Sequence, residues 1–197
     1  MEPSIDELRK NYERFDDNKL IRLASEEATR LRPEALELLK QIIKERGLST
    51  DVLTGIEAQF KQPDEKSLRV YTDLLRKQSC PICDSTAQPL NATMVASVMS
   101  FIVFTHYKKE LVIGCPDCLD KQNNNAMLKS ALMGWWSLPW GLIRTPKSLM
   151  LNSKMKKQNH NYEANDLFKS FTLQRIGRIE ANKNNPEQLQ LIVKHIR

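Results

Sequence analysis

The residues with the plainest chemical capacity are four cysteines in two matched pairs, Cys80-Pro-Ile-Cys83 and Cys115-Pro-Asp-Cys118, with no cysteine left over. A Cys-x-x-Cys unit sets two sulfurs on one tight turn, and proline after the first cysteine stiffens that turn by fixing φ. Two such turns can aim four thiolates at one cation, about 2.3 Å from each, which is the closed shell of structural zinc. A closed shell has no position for water, so catalysis at the metal is not expected. A dithiol redox motif, a rubredoxin-like iron site and two unrelated buried pairs compete with this reading. A redox pair usually opens a helix in a βαβ setting and needs no second pair. One structural Zn2+ held by Cys80, Cys83, Cys115 and Cys118 is therefore the expectation. His106 is not at ligand spacing. The chain contains no glycine-rich phosphate loop, nucleophile elbow, His/Glu metal-hydrolase motif or defensible carboxylate pair, so an enzyme is not expected.

The elements that must position these cysteines differ on either side of them. Residues 1–78 read as a helical segment. Ser4 and Glu7 have capping-box spacing, and Ile5, Leu8 and Tyr12 follow at helical intervals. A second helix is expected from about Asp17 to Leu31. Pro33 suits the first turn of a third, whose stripe is Leu36, Leu39, Ile42 and Ile43 and whose end is Gly47. Two short helices follow, near Asp51–Phe60 and Asp64–Lys77. Residues 79–124 hold the cysteines and, between them, the β-formers Thr93, Val95, Val98, Phe101, Val103, Phe104, Leu111, Val112 and Ile113. Two or three antiparallel strands are expected, with a turn near Tyr107–Lys109. The stretch 85–107 has no Asp, Glu, Lys or Arg, yet Gln88, Pro89 and Asn91 and its short apolar part argue against a span of ~30 Å. Residues 125–197 read as a Trp-rich helical hairpin, with Thr145 and Pro146 opening its second helix to about Lys157. Helices near Glu163–Glu180 and Pro186–Ile196 complete the chain. The fold class is α+β, mostly helical with a small antiparallel sheet in the middle.

The two cysteine pairs resemble the zinc-ribbon superfamily. Asp84 and Leu119 stand where that pattern often has a glycine after each knuckle, and the 31 residues between the pairs exceed its usual roughly 15–20. The stretch from Ala131 to Pro146 resembles a Gly-Trp-Trp…Pro-Trp-Gly signature that follows the ribbon in an uncharacterised bacterial family. Together these likenesses cover residues 78–150 and imply a ribbon fold and a membrane-proximal tendency, not a reaction.

All three tryptophans, Trp135, Trp136 and Trp140, fall within six residues, and Trp favours the water–lipid boundary. Leu128, Ala131, Leu132, Trp135 and Trp136 form one helical stripe. The uncharged run Ser130–Ile143 is too short to span a bilayer and suits an interfacial segment; Arg144 and Lys147 then begin a basic stem. Residues 126–197 carry 12 Lys/Arg against 4 Asp/Glu, a net +8, whereas the whole chain carries +6. Such asymmetry calls for an anionic partner. The expectation is a zinc-stabilised interaction module, a peripheral membrane adaptor touching an anionic surface or a protein partner through Trp135, Trp136, Trp140, Arg144 and Lys147. The alternatives are a nucleic-acid-binding regulator and a Trp-rich hairpin that packs on the sheet as core or on a second copy in a homo-oligomer. The N-terminus, Met-Glu-Pro-Ser-Ile-Asp-Glu, has no apolar core, so no secretory signal is expected and the location is cytoplasmic, at the inner face of the membrane.

Overall fold

The computed structural model describes residues 3–61, 63–102 and 104–195. Val103, read above as a strand residue, and Ile196, read as the end of the last helix, lie outside the described residues. The chain runs through α1 (Ile5–Glu13), α2 (Asp17–Glu27), a 3-10 turn (Ala28–Arg30), α3 (Pro33–Glu45), α4 (Thr50–Phe60) and α5 (Glu65–Arg76). Then come β1 (Asn91–Phe101), β2 (Phe104–Gly114), α6 (Pro116–Met133), α7 (Trp140–Asn159), α8 (Asp166–Gln174), α9 (Ile176–Ala181) and α10 (Pro186–Lys194). The fold is α+β, mostly helical with one two-stranded antiparallel sheet. Contacts divide it into two compact units, residues 1–71 with 171–192 and residues 72–170 with 193–197.

The first unit is built from local helix signals. The Glu7 N–H donates to Ser4 Oγ (3.3 Å) and the Ser4 N–H to Glu7 Oε2 (2.8 Å), the reciprocal pair of a capping box. The Lys19 N–H donates to Asp16 Oδ1 (2.7 Å) at the head of α2. Pro33 opens α3, and Gly47, at φ 63°, follows it in the left-handed conformation that a glycine adopts without strain. The apolar stripes of α2, α3 and α4 close on one another, burying Leu20, Leu39, Ile42, Ile43 and Ile56.

The second unit has a different logic. β1 and β2 pair from Asn91↔Gly114 to Phe101↔Phe104. The expected turn at Tyr107–Lys109 is therefore corrected: Tyr107, Lys108 and Lys109 lie inside β2, opposite Val98, Ser97 and Ala96. Their polarity is that of a strand facing water, not of a bend. Helices α6 and α7 lie along β1, and beyond the buried Leu119 their inward side chains are small or polar. They satisfy backbone groups that β1 turns away from β2. Asn152 accepts from the Ala96 N–H (3.2 Å) and donates to its carbonyl (2.6 Å), and Ser148 Oγ donates to the same carbonyl (2.7 Å). The Val98 N–H donates to Ser130 Oγ (3.0 Å). Asn123 Nδ2 reaches both the Met94 carbonyl (3.4 Å) and Asn152 Oδ1 (3.1 Å). Buried peptide groups must be paired, so this seam stands in for a third strand.

Two boundaries also differ from expectation. α6 begins at Pro116 and takes in the polar Lys121–Asn125 stretch, whose Asn123 belongs to the seam. α7 begins at Trp140, so Pro146 is inside the helix rather than at its start. Pro146 forgoes the hydrogen bond to the Leu142 carbonyl; Leu142 is on the exposed side, where water can serve that carbonyl.

Candidate metal centre

The first cysteine pair follows α5. The Asp84 N–H donates to the Cys80 carbonyl (2.8 Å) and the Cys80 N–H to the Ser85 carbonyl (2.9 Å), closing a tight turn around Cys83. Asp84 has φ 56°, the left-handed conformation that the more usual glycine adopts without strain. The second pair is built otherwise. Cys115 is the N-cap of α6, Pro116 its first residue and Cys118 lies in its first turn. Leu119 is consequently helical, with its N–H donating to the Cys115 carbonyl (3.0 Å) and its side chain buried, so no glycine is called for. Because this pair opens a helix, helix position no longer argues against redox chemistry here; the meeting of both pairs does.

All four sulfurs lie within 4.8 Å of one another. Cys83 Sγ and Cys115 Sγ are 3.8 Å apart, beyond the roughly 2.05 Å of a disulfide, and the four thiols are free. A sulfur tetrahedron with bonds of about 2.3 Å has edges of about 3.8 Å. The donor set thus fits a tetrahedral ion such as zinc. The Cys115 N–H donates to Cys80 Sγ (3.3 Å), so one knuckle steadies a ligand of the other. Cys80, Cys115 and Cys118 are buried and Cys83 is exposed. Burial pushes the Cys80 thiol up, but N–H groups of Cys115, Ile82 and Cys83 outweigh it and bring the thiol down to about 7. Burial raises Cys115 and, with the neighbouring sulfurs, raises Cys118 further. A cation would offset that penalty by favouring the thiolates. His106 lies in β2 opposite Met99 and is no part of the cluster.

The other residues singled out by sequence lie at the far end of α6, whose 18 residues span about 27 Å. Trp135 and Trp136 follow α6, Trp140 opens α7, and Arg144 and Lys147 occupy its next turn. The tryptophans are 41%, 71% and 56% exposed, respectively. Leu128 and Leu132 of the same stripe face outward too. The indole N–H groups of Trp135 and Trp136 donate to the Ala131 (2.9 Å) and Leu132 (3.1 Å) carbonyls at the end of α6. The polar atoms are thereby used internally, and the rings present apolar surface. Sequence reading missed Asn123, Ser130, Ser148 and Asn152. Their signal is small polar residues recurring at helical spacing: Gly141, Thr145, Ser148 and Asn152 are buried along one line of α7.

No protein-family model, curated protein or solved structure matches this chain. Among the described residues, no helix is long and apolar enough to cross a membrane.

Proposed function

We propose that this protein is a non-enzymatic, zinc-stabilised module that docks peripherally on an anionic membrane, at the cytoplasmic face. One Zn2+ on Cys80, Cys83, Cys115 and Cys118 would pin the start of β1 and the end of β2 to the start of α6, as in the zinc ribbons that the cysteine pairs resemble. The observation that carries the membrane reading is the exposure of Trp135, Trp136 and Trp140 together, with the N–H groups of Trp135 and Trp136 already satisfied. Transfer of three half-exposed indoles from water is worth on the order of 2 kcal/mol each. Charge supports the same partner: residues 121–162 contain seven Lys/Arg and no Asp or Glu. Each basic residue close to an anionic surface adds ~1 kcal/mol. Nucleic acid fits less well, because the aromatic residues gather at one turn and do not alternate with basic ones along a groove.

Flotation of the zinc-loaded protein with vesicles tests this reading. Anionic vesicles should retain the protein, neutral ones should retain less, and salt should weaken retention. A Trp135→Ser, Trp136→Ser, Trp140→Ser chain should stay in solution. A native chain that anionic vesicles do not retain removes the membrane reading, equal retention of the variant removes the tryptophans' part in it, and a gel shift at low salt in place of vesicle binding points to nucleic acid.

A further inference from the structure

We infer that the apex of the β-hairpin is a second membrane-inserting prong beside the tryptophan turn, the two entering an anionic phospholipid bilayer together. The inference rests on the membrane reading above and extends it to residues outside the tryptophan segment. Phe101 is 63% exposed, Ile102 86% and Phe104 76%. Tight hairpin turns are ordinarily made from Asn, Gly and Asp, so nothing in turn chemistry asks for large apolar side chains here.

The apex and the tryptophan turn are fastened side by side. Ser100 Oγ donates to the Gly134 carbonyl (2.7 Å), and the Thr105 hydroxyl meets that of Ser137. A Cβ on Gly141 would come within 3.1 Å of Ser100 Oγ and 2.6 Å of the Gly134 carbonyl, so only glycine lets the pieces approach this closely. Phe104 and Trp136, both exposed, are the chain neighbours of Thr105 and Ser137 and so flank the bond between those hydroxyls.

A belt marks how deep both go. The Arg144 guanidinium sits 5.6 Å from the Trp140 ring centre and 5.7 Å from that of Tyr107, placing a cation between two amphipathic rings as at a headgroup boundary. Tyr107 is three residues from Phe104, about 10 Å along a strand, and interfacial elements enter about 5–10 Å. The backbone agrees with a shallow seat. Pairing continues to Phe101↔Phe104, so both strands are paired up to the apex. The sheet of the described residues has only two strands, however, so the outer edge of β2 has no strand partner and could not enter hydrocarbon at full depth. The acid-free, basic stretch 121–162 identifies the surface as anionic.

The test compares zinc-loaded chains on vesicles of mixed phosphatidylglycerol and phosphatidylcholine: native, Phe101→Ser/Ile102→Ser/Phe104→Ser, and the tryptophan triple variant. Zinc content and far-ultraviolet circular dichroism check folding. The apex variant should partition at least about tenfold more weakly than the native chain, as expected when three large apolar contacts are withdrawn. If it binds like the native chain while the tryptophan variant does not, this inference is overturned and the membrane reading stands. If the native chain itself does not bind, both fall. Loss of self-association in place of vesicle binding makes the apex a contact between copies and also overturns the inference. A second measurement keeps a large apolar ring at each of these positions: Phe104→Trp as sole tryptophan, with the native three as Phe. Its emission should shift to the blue and be quenched by lipids brominated near the headgroup; an unquenched, water-like spectrum on bound protein is the contrary result.

Discussion

At Cys115 one residue serves two ends, offering its sulfur to the four-thiol cluster and starting α6 through its backbone. Cys115→Ser keeps a good N-cap, so whatever is lost reflects the ligand. A chain that loses stoichiometric metal and precipitates on purification is the expected result; elemental analysis showing a full complement of metal would remove the coordination assignment. Asp84 offers a finer test. Its φ of 56° carries strain that glycine avoids. Its ion pair with Lys194 (3.7 Å) is solvent-exposed, and such pairs add little. Asp84→Gly should therefore stabilise the metal-loaded protein by up to about 1 kcal/mol, read as a higher urea midpoint at constant slope; a lower midpoint would show that the carboxylate matters more than the backbone. Acid provides the third probe. Metal binding requires the protons of Cys115 and Cys118 to leave, and burial holds both thiols above their ordinary range. Protons thus compete with the metal, and affinity must fall as pH is lowered from 7.5 to 5.5. Competition with a chromophoric chelator across that range measures it; flat affinity contradicts a thiolate shell.

The contrast between elements lies in what each buries. The stripes of α2, α3 and α4 bury branched aliphatic side chains, whereas α6 and α7 turn Asn123, Ser130, Ser148 and Asn152 inward and Leu128, Leu132 and Leu142 outward. Asn152→Leu keeps the heavy-atom branching of the side chain while removing its polar atoms, and so tests the seam. It strips partners from the Ala96 N–H and weakens pairing at its carbonyl, which Ser148 still serves. An unmet buried peptide group costs about 1–3 kcal/mol, so a fall of that size in unfolding free energy is expected; an unchanged or raised value would show that the seam is replaceable by apolar packing. The same contrast explains what could be read from sequence. The cysteine pairs, the capping box of α1, Pro33 and Gly47 announce themselves because their signals are local. Amphipathic logic points Leu128, Leu132 and Trp136 toward a core, but hydrogen bonding to the edge of β1 outweighs it. The Pro146 signal misled for a related reason, since a proline late in the first two turns of α7 reads as a helix start. Tyr107–Lys109 shows the converse error, a water-facing strand that reads as a turn. No local pattern could say that residues 171–192 cluster with the first seventy.

Charge and cohesion sort with the two units. Residues 72–170 with 193–197 hold 14 Lys/Arg against 7 Asp/Glu, a net +7; residues 1–71 with 171–192 hold 16 against 17, a net −1. The unit with the cysteines and the apolar end thus carries the whole positive excess and is the one able to meet an anionic surface. Cohesion divides similarly. The first unit has a buried aliphatic core in Leu20, Leu39, Ile43 and Ile56, which owes nothing to a metal. The second unit buries Leu90, Ile113, Leu119 and Phe168 and adds to them a polar seam and four sulfurs whose ion would supply ~10–16 kcal/mol, comparable to the ~5–15 kcal/mol that keeps a whole domain folded. Chelation should therefore act unevenly. Hydrogen exchange after metal removal should show amides of β1, β2 and the first turns of α6 losing protection, while those of α2, α3 and α4 keep theirs. Uniform loss along the chain would mean that the aliphatic core depends on the ion, and full retention would mean that the hairpin and α6 hold together without it.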